Sequence, residues 1–314
     1  MRAVANRTTQ STRSASISIV TPSIAILGTK TTCLRLIHAL GTQLSLIVTV
    51  NDESDTRSQL NAILAAGRQF GVPVRIATGP IEAYGLLIES ESTVVLVAGW
   101  YQMIPPKVLD AVPHGFVGLH YSKLPSYRGW SPVVWALING EAEVGYSIFR
   151  MTPGVDDGPL AAQGTVSVGD RDVGEVLDLL DEASLRELSR IADGLADGTQ
   201  PFTKQPMTGV SYAGARTQSD GRIEWGLTAA VLERHIRAQS RPYPGAFTHI
   251  GGELVKVWKA HTEGDAYYGT PGQVVRLIDG TPVVACGDGT GLMLEEIESV
   301  MPIRFSLLSS RFGI

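Results

Sequence analysis

Short apolar runs alternate with amphipathic stretches over the first part of the chain. The apolar runs fall at 23–29 ("SIAILGT"), 43–51 ("QLSLIVTVN"), 72–78 ("VPVRIAT"), 92–99 ("STVVLVAG") and 114–120 ("HGFVGLH"). Between them lie helix-like segments, "KTTCLRLIHALG", "TRSQLNAILAAGRQFG", "IEAYGLLIES" and the short "PPKVLDAV". In the second of these, Leu60, Ile63 and Leu64 share one face, and glycines close the first two. Strands that are apolar on both faces and alternate with helices predict a parallel sheet covered on both sides.

Two further strand-like runs, 143–151 and 160–168, precede a long helix over 172–196. Leu177, Leu180, Leu188, Ile191 and Leu195 keep helical spacing there. From Thr199 the pattern fades into Gly, Pro, Thr and Ser, which reads as a linker. Beyond a helix at "AAVLERHIRAQS", short strands are broken by Gly251-Gly252, Asp279-Gly280 and Asp288-Gly289, the chemistry of hairpin turns. The predicted fold class is therefore α/β: a Rossmann-like open, mostly parallel sheet with a smaller, mainly β C-terminal domain. The predicted division is an N-terminal extension over 1–22, a catalytic domain over 23–199, a linker over 200–219 and the C-terminal domain over 220–314.

Composition narrows the function classes. The 314 residues are 44% hydrophobic and 18% charged, enough apolar content for a sizeable core. Net charge is −5, and residues 216–314 carry ten Lys and Arg against eleven Asp and Glu. Nucleic-acid or anionic-membrane binding asks for a basic surface, so neither partner is expected. No apolar run approaches the roughly 20 residues that span a bilayer. Cys33 and Cys286 stand far apart, without metal-ligand spacing, which suits a reduced cytoplasmic setting and no metal. Residues 1–22 carry Arg2, Arg7 and Arg13, much Ser and Thr and no acid, but no apolar core of a secretory signal. A disordered extension is the expectation there.

The candidate chemistry lies where open parallel sheets bind ligands, beyond the carboxyl ends of the strands. His120 directly follows the run "GFVGL". Asp156 and Asp157 sit in the Gly-flanked loop "MTPGVDDGPL". A carboxylate beside an imidazole fixes its tautomer and favours its protonated form, which can stabilise an oxyanion or pass a proton. Asp157 reads as a loop residue. Gly28 follows the first strand, but "GTKTTC" lacks the G-x-G-x-x-G of a dinucleotide site. Trp130, Trp135, Trp225 and Trp258 read as packing residues, and Tyr101 as either a pocket wall or a surface aromatic.

The loop after His120 carries a resemblance. His120-x-Ser122-x-Leu124-Pro125-x-x-Arg128-Gly129, then Pro132, Trp135, Ala136 and Asn139-Gly140, resembles the signature of N10-formyltetrahydrofolate-dependent formyltransferases. Gly154-Val155-Asp156-Asp157-Gly158 resembles the family's downstream Gly-x-Asp-x-Gly. The likeness runs from about Ser23 to the C-terminal part, where "RPYPGAFT" and "VVACGDG" look closest to the sugar N-formyltransferases. It implies His120 and Asp156 as catalytic residues, and Gly99, Tyr101, Gln102, Ile104, Leu124, Arg128 and Val155 around the folate. It further implies N10-formyltetrahydrofolate as co-substrate, a small-molecule amine acceptor of the amino-sugar type, and a homodimer through the C-terminal half.

One departure stands out. The family places an asparagine two residues before the histidine, and this chain has Gly118. Removing one preorganised oxyanion donor costs roughly 2.7–4 kcal/mol. Backbone amides, Gln102 and Tyr121 are the candidates to replace it. Three other readings stay open: a methionyl-tRNA formyltransferase, a folate-binding pseudoenzyme, and a hydrolase releasing formate from the same folate.

Overall fold

The structure, a computed structural model, describes residues 21–53, 55, 57–307 and 309–313. The extension expected over 1–22 lies almost wholly outside the described residues. The chain begins with β1 (Ile24–Gly28), α1 (Lys30–Leu40), β2 (Leu44–Val50), α2 (Leu60–Phe70), β3 (Val74–Ala77), α3 (Pro80–Glu89), β4 (Val94–Ala98), α4 (Pro106–Leu109) and β5 (Phe116–His120). β1 and β4 are buried at every residue and lie side by side in the middle, as their unbroken apolar runs require. β3 forms the edge, which is why Arg75 and Ile76 on it face solvent.

β6 (Arg128–Gly129), α5 (Pro132–Asn139), β7 (Glu143–Arg150), β8 (Leu160–Ser167) and α6 (Val173–Asp197) follow. The large sheet has the order β3-β2-β1-β4-β5-β7-β8, parallel through β5 and antiparallel at β7 and β8. The chain winds outward from β1 to β3, then returns to β4 on the other side of β1. That reversal opens a crevice beyond the carboxyl ends of the strands. Asp172 and Glu175 cap the start of α6 reciprocally. Leu180, Leu188, Ile191 and Leu195 bury its apolar face.

After α6 the chain crosses through a stretch containing β9 (Tyr212–Ala213), which pairs in parallel with β6. α7 (Ala229–Gln239) then leads into β10 (Ala246–Ile250), β11 (Glu253–Ala266), β12 (Val274–Ile278), β13 (Thr281–Ala285) and β14 (Thr290–Ser299). These five strands form an antiparallel sheet of order β10-β11-β14-β13-β12. Its hairpin turns fall at Gly251-Gly252 and Asp279-Gly280, all four residues at positive φ. Trp225, Val255, Val257, Leu292, Leu294 and Phe312 form the core of this half, so Trp225 packs as expected. The fold class read from the sequence is the one observed. Among the described residues no helix is long and apolar enough to cross a membrane.

Candidate active site

A cavity of about 410 Å³ opens over the ends of β4 and β5. Val97, Ile104, Leu109, Phe149 and Met151 give it an apolar floor, and Gly99, Tyr101, Gln102 and Val155 form part of its wall. His120 and Asp156 both line it. Such a concave apolar space with few polar groups is where a flat, partly apolar ligand gains most from leaving water.

His120 is the last residue of β5, and its side chain is 11% exposed. Its Nε2 lies 2.9 Å from the carbonyl oxygen of Tyr127. A carbonyl only accepts, so Nε2 carries a proton and donates it there. Nδ1, the other ring nitrogen, faces Asp156 Oδ2 at 3.6 Å. The same Oδ2 accepts the backbone N–H of Gly129 at 2.8 Å. Gly129 has φ +100, and a Cβ there would stand 2.8 Å from the Ala213 carbonyl. Only glycine lets the chain turn there and present its N–H to the carboxylate.

Asp156 reaches this position by an indirect route. β7 runs antiparallel to β5, with Arg150 beside Val117 and Ser147 beside His120. The carboxyl end of β7 therefore lies toward the start of β5, away from the histidine. The following loop doubles back over the sheet face and is closed by a hydrogen bond from Arg150 N–H to the Pro159 carbonyl. Asp156 adopts φ +47 within it, a left-handed conformation rarely taken by a non-glycine residue.

The same topology explains Gly118. Its direct cross-strand partner is Phe149, on the same face of the pleat. A Cβ at Gly118 would sit 3.0 Å from Phe149 Cε1 and 3.4 Å from Met151 Cγ. An aromatic ring crowds the position that an asparagine Cβ would take. Of the replacement donors, Tyr121 is already engaged: its hydroxyl donates to the buried carboxylate of Asp181, which also accepts from Thr32 and Arg35. Burial first, then the Asp181 charge, hold the Tyr121 phenol well above its ordinary range. Burial likewise raises Asp181 above the usual carboxylate range, against the opposing pull of Tyr121 and Arg35. Gln102 lines the cavity and is exposed.

Of the folate-binding residues expected from sequence, Gly99, Tyr101, Gln102, Ile104 and Val155 line the cavity. Leu124 and Arg128 do not. Leu124 is 2% exposed, and its carbonyl accepts from Gln163 Nε2 at 2.7 Å. Arg128 donates to Gln205 Oε1 at 2.7 Å, and Gln205 does not line the cavity either. Trp130 also departs from expectation. It is 47% exposed on the cavity rim and stacks on Tyr101, with ring centroids 5.8 Å apart and planes at 18°.

Sequence reasoning missed Phe149, Tyr243 and Gln205. Phe149 would have needed the β5–β7 register, and Tyr243 is brought to the cavity from the far side of α7. Gln205 sits in a stretch with no periodic signal at all. The two cysteines are free and buried, and burial pushes both thiols up to about 12. Neither is a thiolate nucleophile near neutral pH.

Structurally similar chains include an N-formyltransferase from Helicobacter canadensis, solved with folinic acid and dTDP-3-aminofucose. It shares 15% identity over 87% of this chain and 99% of its own, with a TM-score of 0.66. WlaRD, a sugar 3N-formyl transferase solved in the presence of dTDP and 5-N-formyl-THF, matches at 17% identity over 90% and 98% of the two chains, with a TM-score of 0.64. HypX from Aquifex aeolicus, in complex with tetrahydrofolic acid, matches at 16% identity over 89% of this chain and 44% of its own, with a TM-score of 0.63. At these identities the likeness speaks to the fold. The sequence family described as "Formyl transferase" matches residues 77–182, which hold both His120 and Asp156. "Formyl transferase, C-terminal domain" matches residues 216–304. The two matched segments together take in well over half of the chain, and the protein belongs to the formyl transferase family.

Proposed function

We propose that the protein transfers a formyl group from N10-formyltetrahydrofolate to the primary amine of an amino-sugar-type small molecule, a nucleotide-linked amino sugar being favoured. The observation that carries this reading is the His120–Asp156 pair on the wall of the cavity, with Nε2 committed to Tyr127 and Nδ1 facing the carboxylate. The apolar floor and the Tyr101–Trp130 shelf fit a flat heterocycle such as the folate. The folate would supply an activated formyl carbon open to attack by an amine.

The chain's own residues have these parts. His120 takes a proton at Nδ1, and the resulting imidazolium is balanced by Asp156. The positive ring then favours negative charge developing on the formyl oxygen. Asp156 keeps the ring in register and assists transfer of the proton from the attacking amine to N10, so that the carbon–N10 bond breaks as the carbon–amine bond forms and tetrahydrofolate leaves. The near-equal charge of residues 216–314 supports a small acceptor over a transfer RNA. The bound molecules of the Helicobacter canadensis relative support the acceptor class.

A second reading, a folate-binding protein without turnover, draws on the Phe149 ring beside Gly118. One single-turnover experiment separates the two. Protein, N10-formyltetrahydrofolate and a panel of nucleotide-linked amino sugars that includes dTDP-3-aminofucose are mixed, and the products are read by mass spectrometry. Tetrahydrofolate with one formylated amine supports transfer. Folate binding with every amine unchanged supports the second reading, and formate released without an acceptor points to hydrolysis.

A further inference from the structure

The crossover between the two sheets grips both catalytic loops. On the histidine side, Arg128 N–H donates to the Ser211 carbonyl and Trp130 N–H to the Ala213 carbonyl, each at 2.9 Å. Tyr127 N–H donates to Ser211 Oγ at 2.8 Å, and Ser211 N–H returns a bond to the Pro125 carbonyl at 3.2 Å. These bonds fix the loop whose Tyr127 carbonyl holds His120 Nε2. On the aspartate side, Gln205 Nε2 donates to the Asp156 carbonyl at 2.7 Å and to the Gly158 carbonyl at 2.8 Å. Its Oε1 accepts from Arg128.

Gln205 is 8% exposed and does not line the cavity. Both polar atoms of its amide are paired: both donor hydrogens go to one loop, and the oxygen accepts from the other. A buried amide with this bond pattern locks the geometry of what it bridges, because losing either side strands a polar group out of water. The bridged elements are the left-handed turn that aims Asp156 and the Arg128-Gly129 backbone that donates to the Asp156 carboxylate.

We propose that Gln205 is a positioning residue for formyl transfer, tying the Asp156 turn to the His120 loop so that the carboxylate meets the imidazole. The inference rests on the formyl-transfer reading for its kinetic consequence, but its structural content is tested without any acceptor. In histidine-labelled protein, the His120 ring resonances, assigned with His120→Ala, report the placement of Asp156. Gln205→Ala shifts them in the same direction as Asp156→Asn does. If they stay at their wild-type positions in folded Gln205→Ala, the proposal is overturned.

Kinetics supply the second arm, with N10-formyltetrahydrofolate and dTDP-3-aminofucose. Gln205→Ala lowers kcat about 10- to 100-fold, with KM for the folate within about twofold. In an Asp156→Asn background the same change costs less than about threefold, since the group it positions is already gone. Equal losses in both backgrounds would mean that Gln205 only supports the fold. Gln205→Glu keeps the acceptor for Arg128 and loses both donors, and it gives a loss as large as Gln205→Ala. Wild-type rates in Gln205→Glu would refute the role of the donated bonds. Absence of transfer by the wild-type protein would count against the functional reading, while the resonance arm still decides the role of Gln205.

Discussion

Among the described residues two histidines, His120 and His261, pair with carboxylates, and their surroundings differ in ways that matter for chemistry. His120 is 11% exposed, faces a single carboxylate, has its other nitrogen bound to a carbonyl, and lines a cavity. His261 lies on β11, 40% exposed, with Glu263 on one ring nitrogen at 2.9 Å and Glu295 on the other at 3.0 Å. Both of its nitrogens are committed to carboxylates, and it lines none of the cavities described. A histidine–carboxylate contact is therefore not a site by itself. The catalytic candidate is set apart by an unequal pair of ring nitrogens and by space for a ligand beside the ring.

The largest test of that contrast is removal of each ring. His120→Ala lowers kcat roughly 10²–10⁴-fold, the range for losing a general acid–base or charge-stabilising group. His261→Ala leaves kcat within about twofold. Comparable losses in the two variants would erase the distinction.

A second test concerns the residue beside His120. Gly118→Asn restores the family side chain in name, but Phe149 crowds its Cβ position. Overpacking of this kind costs about 1–3 kcal/mol, so thermal denaturation shows a less stable protein, and kcat does not rise. A more active Gly118→Asn variant would mean that Phe149 moves aside at no cost.

How much of this was legible in the sequence follows the same division. The apolar runs of β1 and β4 and the hairpin turns of the C-terminal sheet are periodic or chemically marked, so they could be read locally. His120 and Asp156 could be read through their motif. What could not be read depends on register and long-range pairing. Phe149 matters because it stands opposite Gly118 in an antiparallel pair. Gln205 matters because an irregular stretch folds back across 49 residues onto the Asp156 carbonyl. Leu124 and Arg128 carried the motif without touching the cavity, since a signature residue can hold a loop as well as a ligand.

Smaller effects sharpen the contrast. Trp130→Ala breaks the stacked shelf with Tyr101, an interaction of about 0.5–1.5 kcal/mol. It raises KM for the folate or the acceptor by roughly 2- to 10-fold and leaves kcat nearly unchanged. His235 supplies a third histidine environment. It is partly buried on α7, and that desolvation holds its pKa below the ordinary 6.5. The folded state resists its protonation, so the stability it contributes is full above pH 6.5 and is lost as pH falls through the folded-state pKa. Thermal midpoints of wild type and His235→Gln measured between neutral and acidic pH therefore converge as the pH falls. Parallel curves would contradict this. His261→Ala changes stability least, by less than about 1 kcal/mol, as for exposed ion pairs.

The most direct measurement is a single-turnover assay of wild-type and His120→Ala protein with N10-formyltetrahydrofolate and the amine that accepts the formyl group. The account predicts stoichiometric tetrahydrofolate and formylated amine from the wild type, and a rate at least about a hundredfold lower from His120→Ala. Transfer by His120→Ala at the wild-type rate would contradict it.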